Sequence, residues 1–186
     1  MIWHNYSYLK DRHAFLGASK YHWINYDDDK LIDTYKKNLA VKKGTVMHDL
    51  AARLIKVKQK LPNAKKTFNM YVNDAIRFKM TPEQILFFSH NCFGTADAIS
   101  FQDNLLRIHD LKTGQNKAHI EQLLVYAALF CLEYNHNPAD IDIELRIYQN
   151  NEIWECKPTP EELLPVMDKI IRFDKMIEQI KEEEGM

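Results

Sequence analysis

Two aspartates and a lysine carry the clearest chemical signal in this sequence. Asp97 lies in the segment GTADAIS, and Asp110 and Lys112 lie in the segment HDLKTG that follows it. Both segments have the composition of strands, and residues two apart on a strand share one face. Two carboxylates gathered beside an ammonium group repel one another unless they hold a cation. The pattern therefore predicts a metal site, for which the main-chain carbonyl of Leu111 is a further available ligand.

The chemistry expected of such a site is hydrolysis of a phosphodiester. Hard cations such as Mg²⁺ and Mn²⁺ choose oxygen ligands, and a protein commonly supplies one or two carboxylates. A metal-bound water is a nucleophile at neutral pH, and a nearby lysine orients it or neutralises charge developing on a phosphate. The alternative is that the side chains only form salt bridges, Asp110 with Lys112 or Asp97 with Arg107.

The periodicity of apolar residues predicts a mixed α/β protein with one sheet covered by helices. The predicted helices are a short one from about Lys30, a second opened by Gly44 and ended by Pro62, and three more over 68–78, 119–134 and 160–184. The predicted strands cover 85–90, 94–101, 105–111, 141–148 and 152–157, with turns at QDN and QNN. Thr159 is expected to cap the last helix.

The segments GTADAIS, HDLKTG and QLLVY, in this order, resemble the core of the PD-(D/E)XK nucleases. More narrowly, they resemble the RecB-like and phage lambda-type exonuclease branch, from about residue 16 to residue 157. The resemblance implies a restriction-endonuclease-like core with a central mixed β-sheet flanked by helices. It also implies that Asp97, Asp110 and Lys112 are the metal-binding and catalytic residues. This sequence departs from the family in two ways. Asp110 occupies a position at which Glu is commoner in the family, although the family pattern allows Asp. The three scattered cysteines cannot bind the iron–sulfur cluster that some relatives contain.

The same resemblance assigns roles to residues on two helices. Gln122 and Tyr126, four residues apart on one helix face, match a Gln and a Tyr of the branch's catalytic set. Gln122 is expected to steady Lys112, and Tyr126 to face the phosphate backbone. The alternative for both is a hydrogen bond to a neighbouring strand within the core. His48 matches a metal-binding histidine of the branch, and the alternative is a polar residue beside a buried helix stripe.

Candidate contacts to DNA lie in the first third of the chain. Ser19 and Lys20, in LGASKYHW, match a small-residue segment beside the scissile phosphate in phage exonucleases of this type. The stretch 36–66, which includes Lys42 and Lys43, has ten Lys or Arg residues against one acid. Such a stretch neutralises phosphates and makes binding depend on salt. The alternatives are an ordinary loop and a solvated helix face.

Composition restricts the setting in which the protein works. A length of 186 residues with 46% hydrophobic content predicts a single domain over residues 1–186. Three cysteines, odd in number and far apart, favour a reducing cytoplasm. The resemblance to phage exonucleases implies that this is the cytoplasm of a bacterial host. No apolar run approaches the ~20 residues of a membrane span, so no membrane association is expected. The first thirteen residues show no secretion signal.

Three functions are compatible with these observations. The first is a Mg²⁺- or Mn²⁺-dependent DNA nuclease, an exonuclease rather than an endonuclease, in DNA recombination or end processing. The resemblance implies DNA, a single-strand annealing protein and a ring-shaped homo-oligomer as its partners. The second is a non-catalytic DNA-binding module with a nuclease-like fold, and the third is a metal-binding structural protein. The joint presence of Asp97, Asp110 and Lys112 favours the enzyme.

Overall fold

The computed structural model describes residues 14–114 and 118–185. The chain divides into two compact units, Met1–Lys43 and Gly44–Met186. The N-terminal unit contains a 3₁₀-helical stretch, Ala18–Asn25, and the first half of helix α1, Asp28–Lys56. The second unit contains the rest of α1 and the whole sheet. That residues 1–186 form a single domain stays a prediction. The first thirteen residues, which are expected to lack a secretion signal, lie outside the described ranges.

A five-stranded mixed sheet forms the centre of the second unit. Its strands are β1 (Thr81–Ser89), β2 (Cys92–Gln102), β3 (Leu105–Leu111), β4 (Asp142–Gln149) and β5 (Glu152–Cys156). They lie side by side in chain order, with β3 and β4 parallel and every other pair antiparallel. The predicted α/β class with a mixed sheet flanked by helices is confirmed. Strand β1 begins at Thr81, earlier than predicted.

Two hairpin turns have a left-handed backbone at both central residues. Between β2 and β3 the φ angles are 52° at Asp103 and 59° at Asn104. Between β4 and β5 they are 52° at Asn150 and 61° at Asn151. Asn and Asp tolerate this conformation, and two-residue turns of this kind match the twist of paired strands. The turns predicted at QDN and QNN are confirmed.

Three further helices flank the sheet: α2 (Thr67–Arg77), α3 (Glu121–Tyr134) and α4 (Pro160–Glu184). The crossover between the parallel strands β3 and β4 contains α3, as parallel pairing requires a long connection. The main-chain N–H of Thr159 donates to the Glu162 carboxylate at 2.9 Å, within a capping box at the start of α4. Among the described helices, none is long and apolar enough to cross a membrane.

Helix α1 runs without interruption through Gly44, where the sequence predicts a helix start. The prediction of two helices is therefore wrong, and α1 ends at Lys56 rather than at Pro62. A glycine inside a helix costs only about 1 kcal/mol, which packing overrides. A Cβ atom at Gly44 would lie 2.9 Å from the Oγ1 atom of Thr113, so the missing side chain allows this close approach.

Apolar clusters cover both faces of the sheet. On one face, Ile108 of β3 belongs to a buried cluster with Leu129 of α3 and Leu163 of α4. On the other face, Leu111 of β3 belongs to a second cluster with Val72 of α2 and residues of α1. Strand β3 is thus covered on both sides, and the side chains at its C-terminal end are held in place by packing.

Candidate active site

Asp97 of β2 joins three elements of the second unit at one point. Its Oδ1 atom lies 3.2 Å from the Nδ1 atom of His48 on α1. Its Oδ2 atom accepts a hydrogen bond of 2.8 Å from the main-chain N–H of Leu111, at the end of β3. The hydrogen bond to Asp97 raises the pKa of His48, because it stabilises the charged imidazolium. The structure therefore brings His48 and Asp97 together.

Asp110 is a buried carboxylate in the same region. Its relative exposure is 4%. Burial and the negative charge of Asp97 raise its pKa, against the opposing effect of Lys112. The Nζ atom of Lys112 lies 3.1 Å from each carboxylate oxygen of Asp110. The Oδ2 atom nevertheless accepts no hydrogen bond of acceptable geometry from the described residues. A buried carboxylate in this state is costly, and a bound cation would relieve the cost.

A hydrogen bond to Gln122 of helix α3 holds the ammonium group of Lys112. The Oε1 atom of Gln122 accepts a bond of 2.7 Å from Lys112 Nζ. The amide of Gln122 in turn donates to the hydroxyl of Tyr126 at 3.2 Å. Gln122 is exposed and makes these contacts instead of a hydrogen bond inside the core, so the alternative interpretation of this residue is wrong. The contact agrees with a role in steadying Lys112.

The ring of Tyr126 lies directly against β2 at Gly94. A Cβ atom at this glycine would lie 2.8 Å from Cε1 of the ring. Ordinary carbon–carbon contacts are about 3.5–4.0 Å, so no larger residue fits beneath the ring in its present position. Lys112, Gln122 and Tyr126 form a hydrogen-bonded row. Gly94 permits the close packing that positions Tyr126 at the end of this row.

Glu83 of β1 belongs to the site, although sequence reasoning missed it. His48, Glu83 and Asp97 each offer one ligand atom, and these atoms lie within 4.8 Å of one another. Glu83 has a φ of 54°, a left-handed conformation that is uncommon outside glycine and often marks functional sites. Desolvation and the charge of Asp97 raise the pKa of its carboxyl group. No spacing in TPEQIL points to this residue, and only the fold brings it to His48.

The donor set fits a hard divalent cation. The ligand atoms that converge belong to His48, Glu83 and Asp97, and Asp110 lies outside this group of three. Carboxylate oxygens suit Mg²⁺ and Mn²⁺. The buried Oδ2 atom of Asp110, which has the Lys112 ammonium at 3.1 Å but accepts no well-aligned hydrogen bond from the described residues, is available to such an ion. His48 binds a metal only as a neutral imidazole, so protonation of His48 competes with metal binding. The carbonyl of Leu111 stays a predicted ligand.

The salt-bridge interpretation of the site is wrong for one pair and correct for the other. The guanidinium of Arg107 lies 3.1 Å from Glu144 and is not the counter-ion of Asp97. The ion pair between Asp110 and Lys112 is present. Exposed ion pairs contribute little to stability, and a buried one is costly to form. The burial of Asp110 therefore favours a functional role over a stabilising one.

A second polar cluster lies on the opposite face of β3. The Nδ1 atom of buried His109 lies 3.1 Å from the hydroxyl of Tyr148, which donates to Asp74 at 2.8 Å. Burial and then the charges of Arg146 and Arg107 lower the pKa of His109 to about 3, so its imidazole is neutral. This cluster joins α2 to β3 and β4 and so stabilises the strand that carries the candidate site.

The four residues predicted to contact DNA belong to the N-terminal unit. Ser19 and Lys20 lie in the 3₁₀-helical stretch, where Lys20 has non-helical backbone angles. Lys42 and Lys43 lie on α1, and all four side chains are exposed. Exposure leaves them accessible to a polyanion, and their contact with DNA stays a prediction.

Comparisons with protein-family models, with curated proteins and with solved structures give no match for this chain. The likeness of its motifs to the PD-(D/E)XK nucleases is therefore an interpretation of the residues. The functional assignment depends on the geometry of the site.

Proposed function

We propose that this protein is a metal-dependent deoxyribonuclease of the PD-(D/E)XK type, an exonuclease in DNA recombination or end processing. The observation that carries the proposal is the buried Asp110 carboxylate, which is paired with the Lys112 ammonium and keeps one oxygen without a well-aligned hydrogen bond from the described residues. Carboxyl groups whose pKa is raised by burial and by a neighbouring carboxylate, as for Asp110 and Glu83, are often found at catalytic sites. The order of a three-strand meander, a helix and a parallel strand supports the proposed restriction-endonuclease-like core.

In this proposal, side chains from α1 and three strands hold the ion. They are His48, Glu83, Asp97 and Asp110. When bound, Mg²⁺ or Mn²⁺ supplies a Lewis acid that stabilises negative charge on the phosphate. Lys112 places a second positive charge at the same phosphate and orients the attacking water. Its ammonium is already held by Gln122, so little reorganisation is needed when charge develops.

Tyr126 is the last residue of the hydrogen-bonded row Lys112–Gln122–Tyr126. Its hydroxyl accepts a hydrogen bond from Gln122, and its remaining hydrogen-bonding capacity is directed to the phosphate backbone in this proposal. The partners implied by the resemblance, a single-strand annealing protein and further copies in a ring, stay predictions. So does the cytoplasm of a bacterial host.

The test is cleavage of linear and circular DNA with Mg²⁺ or Mn²⁺, comparing wild type with Lys112→Ala. The control is Lys169→Ala, which removes an exposed lysine of α4 outside the candidate site. We expect wild type and the control to degrade linear DNA and leave circular DNA intact. We expect Lys112→Ala to lose at least about 10²-fold in rate, as for removal of a preorganised charge-stabilising donor.

Other outcomes lead to different conclusions. Cutting of circular DNA would make the protein an endonuclease with the same site. Salt-sensitive DNA binding without cleavage in either metal would support the non-catalytic binding module. Equal cleavage by wild type and Lys112→Ala would contradict the role given to the lysine.

A further inference from the structure

Gln149, at the C-terminal end of β4, is a buried polar residue outside the candidate active site. Its relative exposure is 6%. It follows Ile147 by two positions, so its side chain lies on the face of the sheet that α3 covers. A buried amide group needs hydrogen-bonding partners, and the partners of Gln149 therefore indicate its role.

Two hydrogen bonds of the Gln149 side chain lie on either side of residues 115–117, in the connection from β3 to α3. Its Nε2 atom donates to the main-chain carbonyl of Gly114 at 2.8 Å. Its Oε1 atom accepts a longer bond of 3.3 Å from the main-chain N–H of Ala118. One amide group thus binds the described residues on both sides of this segment and holds them together.

The residues held by Gln149 are close in sequence to two members of the hydrogen-bonded row. Gly114 follows Lys112 by two residues, and Ala118 precedes Gln122 by four. The bond of 2.7 Å between Lys112 Nζ and Gln122 Oε1 therefore joins two chain segments that Gln149 also joins. Because a hydrogen bond weakens steeply with distance and angle, its geometry depends on how well both segments are fixed.

Local structure contributes little to fixing these two segments. Ile120, the N-cap residue of α3, makes no side-chain capping hydrogen bond within the described part of the chain. Beyond the end of β3, the N–H of Lys112 donates to the carbonyl of Tyr148 at 2.9 Å and continues the pairing with β4 by one bond. Gln149 is the next residue of β4, and its side chain extends this support to Gly114.

We propose that Gln149 is a positioning residue of the candidate active site, which keeps Lys112 and Gln122 at hydrogen-bonding distance by joining the end of β3 to the start of α3. The proposal rests on the nuclease function proposed above. Gln149 acts through Lys112 and not on the substrate itself. Loss of its two bonds lets the ammonium group move relative to the phosphate on which charge develops, which lowers the rate of the chemical step.

The first experiment measures kcat and KM for cleavage of linear DNA with Mn²⁺. Gln149→Met keeps the length of the side chain and removes both hydrogen bonds. We expect kcat to fall by about 10- to 100-fold with less than about threefold change in KM, because the lost positioning acts in the transition state.

The matched control for this experiment is Asn73→Leu on α2. The amide of Asn73 donates to the carbonyl of Leu61 at 3.0 Å and accepts from the N–H of the same residue at 2.8 Å. This variant therefore loses two bonds of the same kind outside the hydrogen-bonded row. We expect its kcat to stay within about twofold of wild type.

The second experiment repeats Gln149→Met in a Gln122→Ala background. There the Lys112 ammonium has already lost its partner on α3, so we expect Gln149→Met to change kcat by less than about threefold. An equal loss of kcat in both backgrounds would overturn the proposal, because Gln149 would then act through the stability of the fold. Urea denaturation of each variant is used to confirm that the proteins compared are folded.

Hydrogen exchange on wild type gives a test that needs no variant. The N–H of Ala118 precedes α3 and donates to Gln149. We therefore expect this N–H to exchange at least about 10²-fold more slowly than in an unstructured peptide. Exchange at the rate of an unstructured peptide would overturn the proposal even if Gln149→Met does not fold.

The outcomes separate the positioning role from the nuclease itself. If wild type cuts DNA and Gln149→Met has the same kcat as Asn73→Leu, the positioning proposal is wrong and the nuclease proposal stands. If wild type cuts no DNA with either metal, the nuclease proposal fails, and the positioning role fails with it.

Discussion

Gly94 lies on β2 beneath the ring of Tyr126. Its replacement by alanine tests how the hydrogen-bonded row of Lys112, Gln122 and Tyr126 is positioned. The added Cβ atom would lie 2.8 Å from Cε1 of Tyr126. Since ordinary contacts are about 3.5–4.0 Å, the ring must move by about 0.7–1.2 Å. We expect Gly94→Ala to lower the free energy of unfolding by about 1–3 kcal/mol, the usual cost of overpacking. The hydrogen bond between Gln122 and Tyr126 would lengthen with the ring.

The assay is a double-mutant cycle with Tyr126→Ala, which removes the ring. In that background we expect Gly94→Ala to be neutral or stabilising by about 0.5–1 kcal/mol, because alanine loses less entropy than glycine in a strand. Urea denaturation of the four proteins should therefore give a coupling free energy of about 1–3 kcal/mol. Displacement of a positioned group by about 1 Å can cost about 10²-fold in rate, so cleavage by the single variant should fall as well. An equal cost of Gly94→Ala in both backgrounds would refute this reasoning.

Three further predictions concern other parts of the second unit. The Glu83→Gln variant should need at least about tenfold more Mn²⁺ than wild type to reach the same rise in Tm. The exposed control Glu152→Gln should behave as wild type. Identical dependence of Tm on Mn²⁺ for Glu83→Gln and wild type would exclude Glu83 from the metal site. Glu162→Ala should lower the free energy of unfolding by about 0.3–1.5 kcal/mol, because it removes half of a capping box. Glu183→Ala, at the other end of α4, should not lower it. Equal free energies of unfolding for the two variants in urea denaturation would contradict the role of Glu162 in the cap. Cys131 is 1% exposed, and burial raises the pKa of its thiol to about 11. Ellman's reagent at pH 8 should therefore modify Cys131 only after denaturation. Rapid reaction of all three cysteine thiols in the native protein would disprove this prediction.

Local patterns were sufficient for most of the secondary structure. The hairpin between β2 and β3 follows from alternating residues and a turn whose Asp103 and Asn104 adopt positive φ. That hairpin pairs Ala98 with His109, so Asp97 and Asp110 come close together by a short-range mechanism. Helix α2 is amphipathic over its whole length and needs no distant contact to be predicted.

Long-range packing decided what the local patterns could not. Helix α1 continues through Gly44, and a Cβ atom there would lie 2.9 Å from the Oγ1 atom of Thr113, far along the chain. Tertiary packing of this kind overrides weak helix propensities. Glu83 reaches His48 through a left-handed backbone inside β1, which no local rule favours for glutamate.

The sequence by itself thus determined the elements of the fold and the Asp97, Asp110 and Lys112 pattern, because strand periodicity and turn chemistry act between near neighbours. The tertiary structure alone decided the ligand role open to Glu83 and the placement of Ile147 of β4 beside Asp110 of β3. That placement depends on the register of a parallel strand pair, which is set by the packing of the α3 crossover and not by any turn.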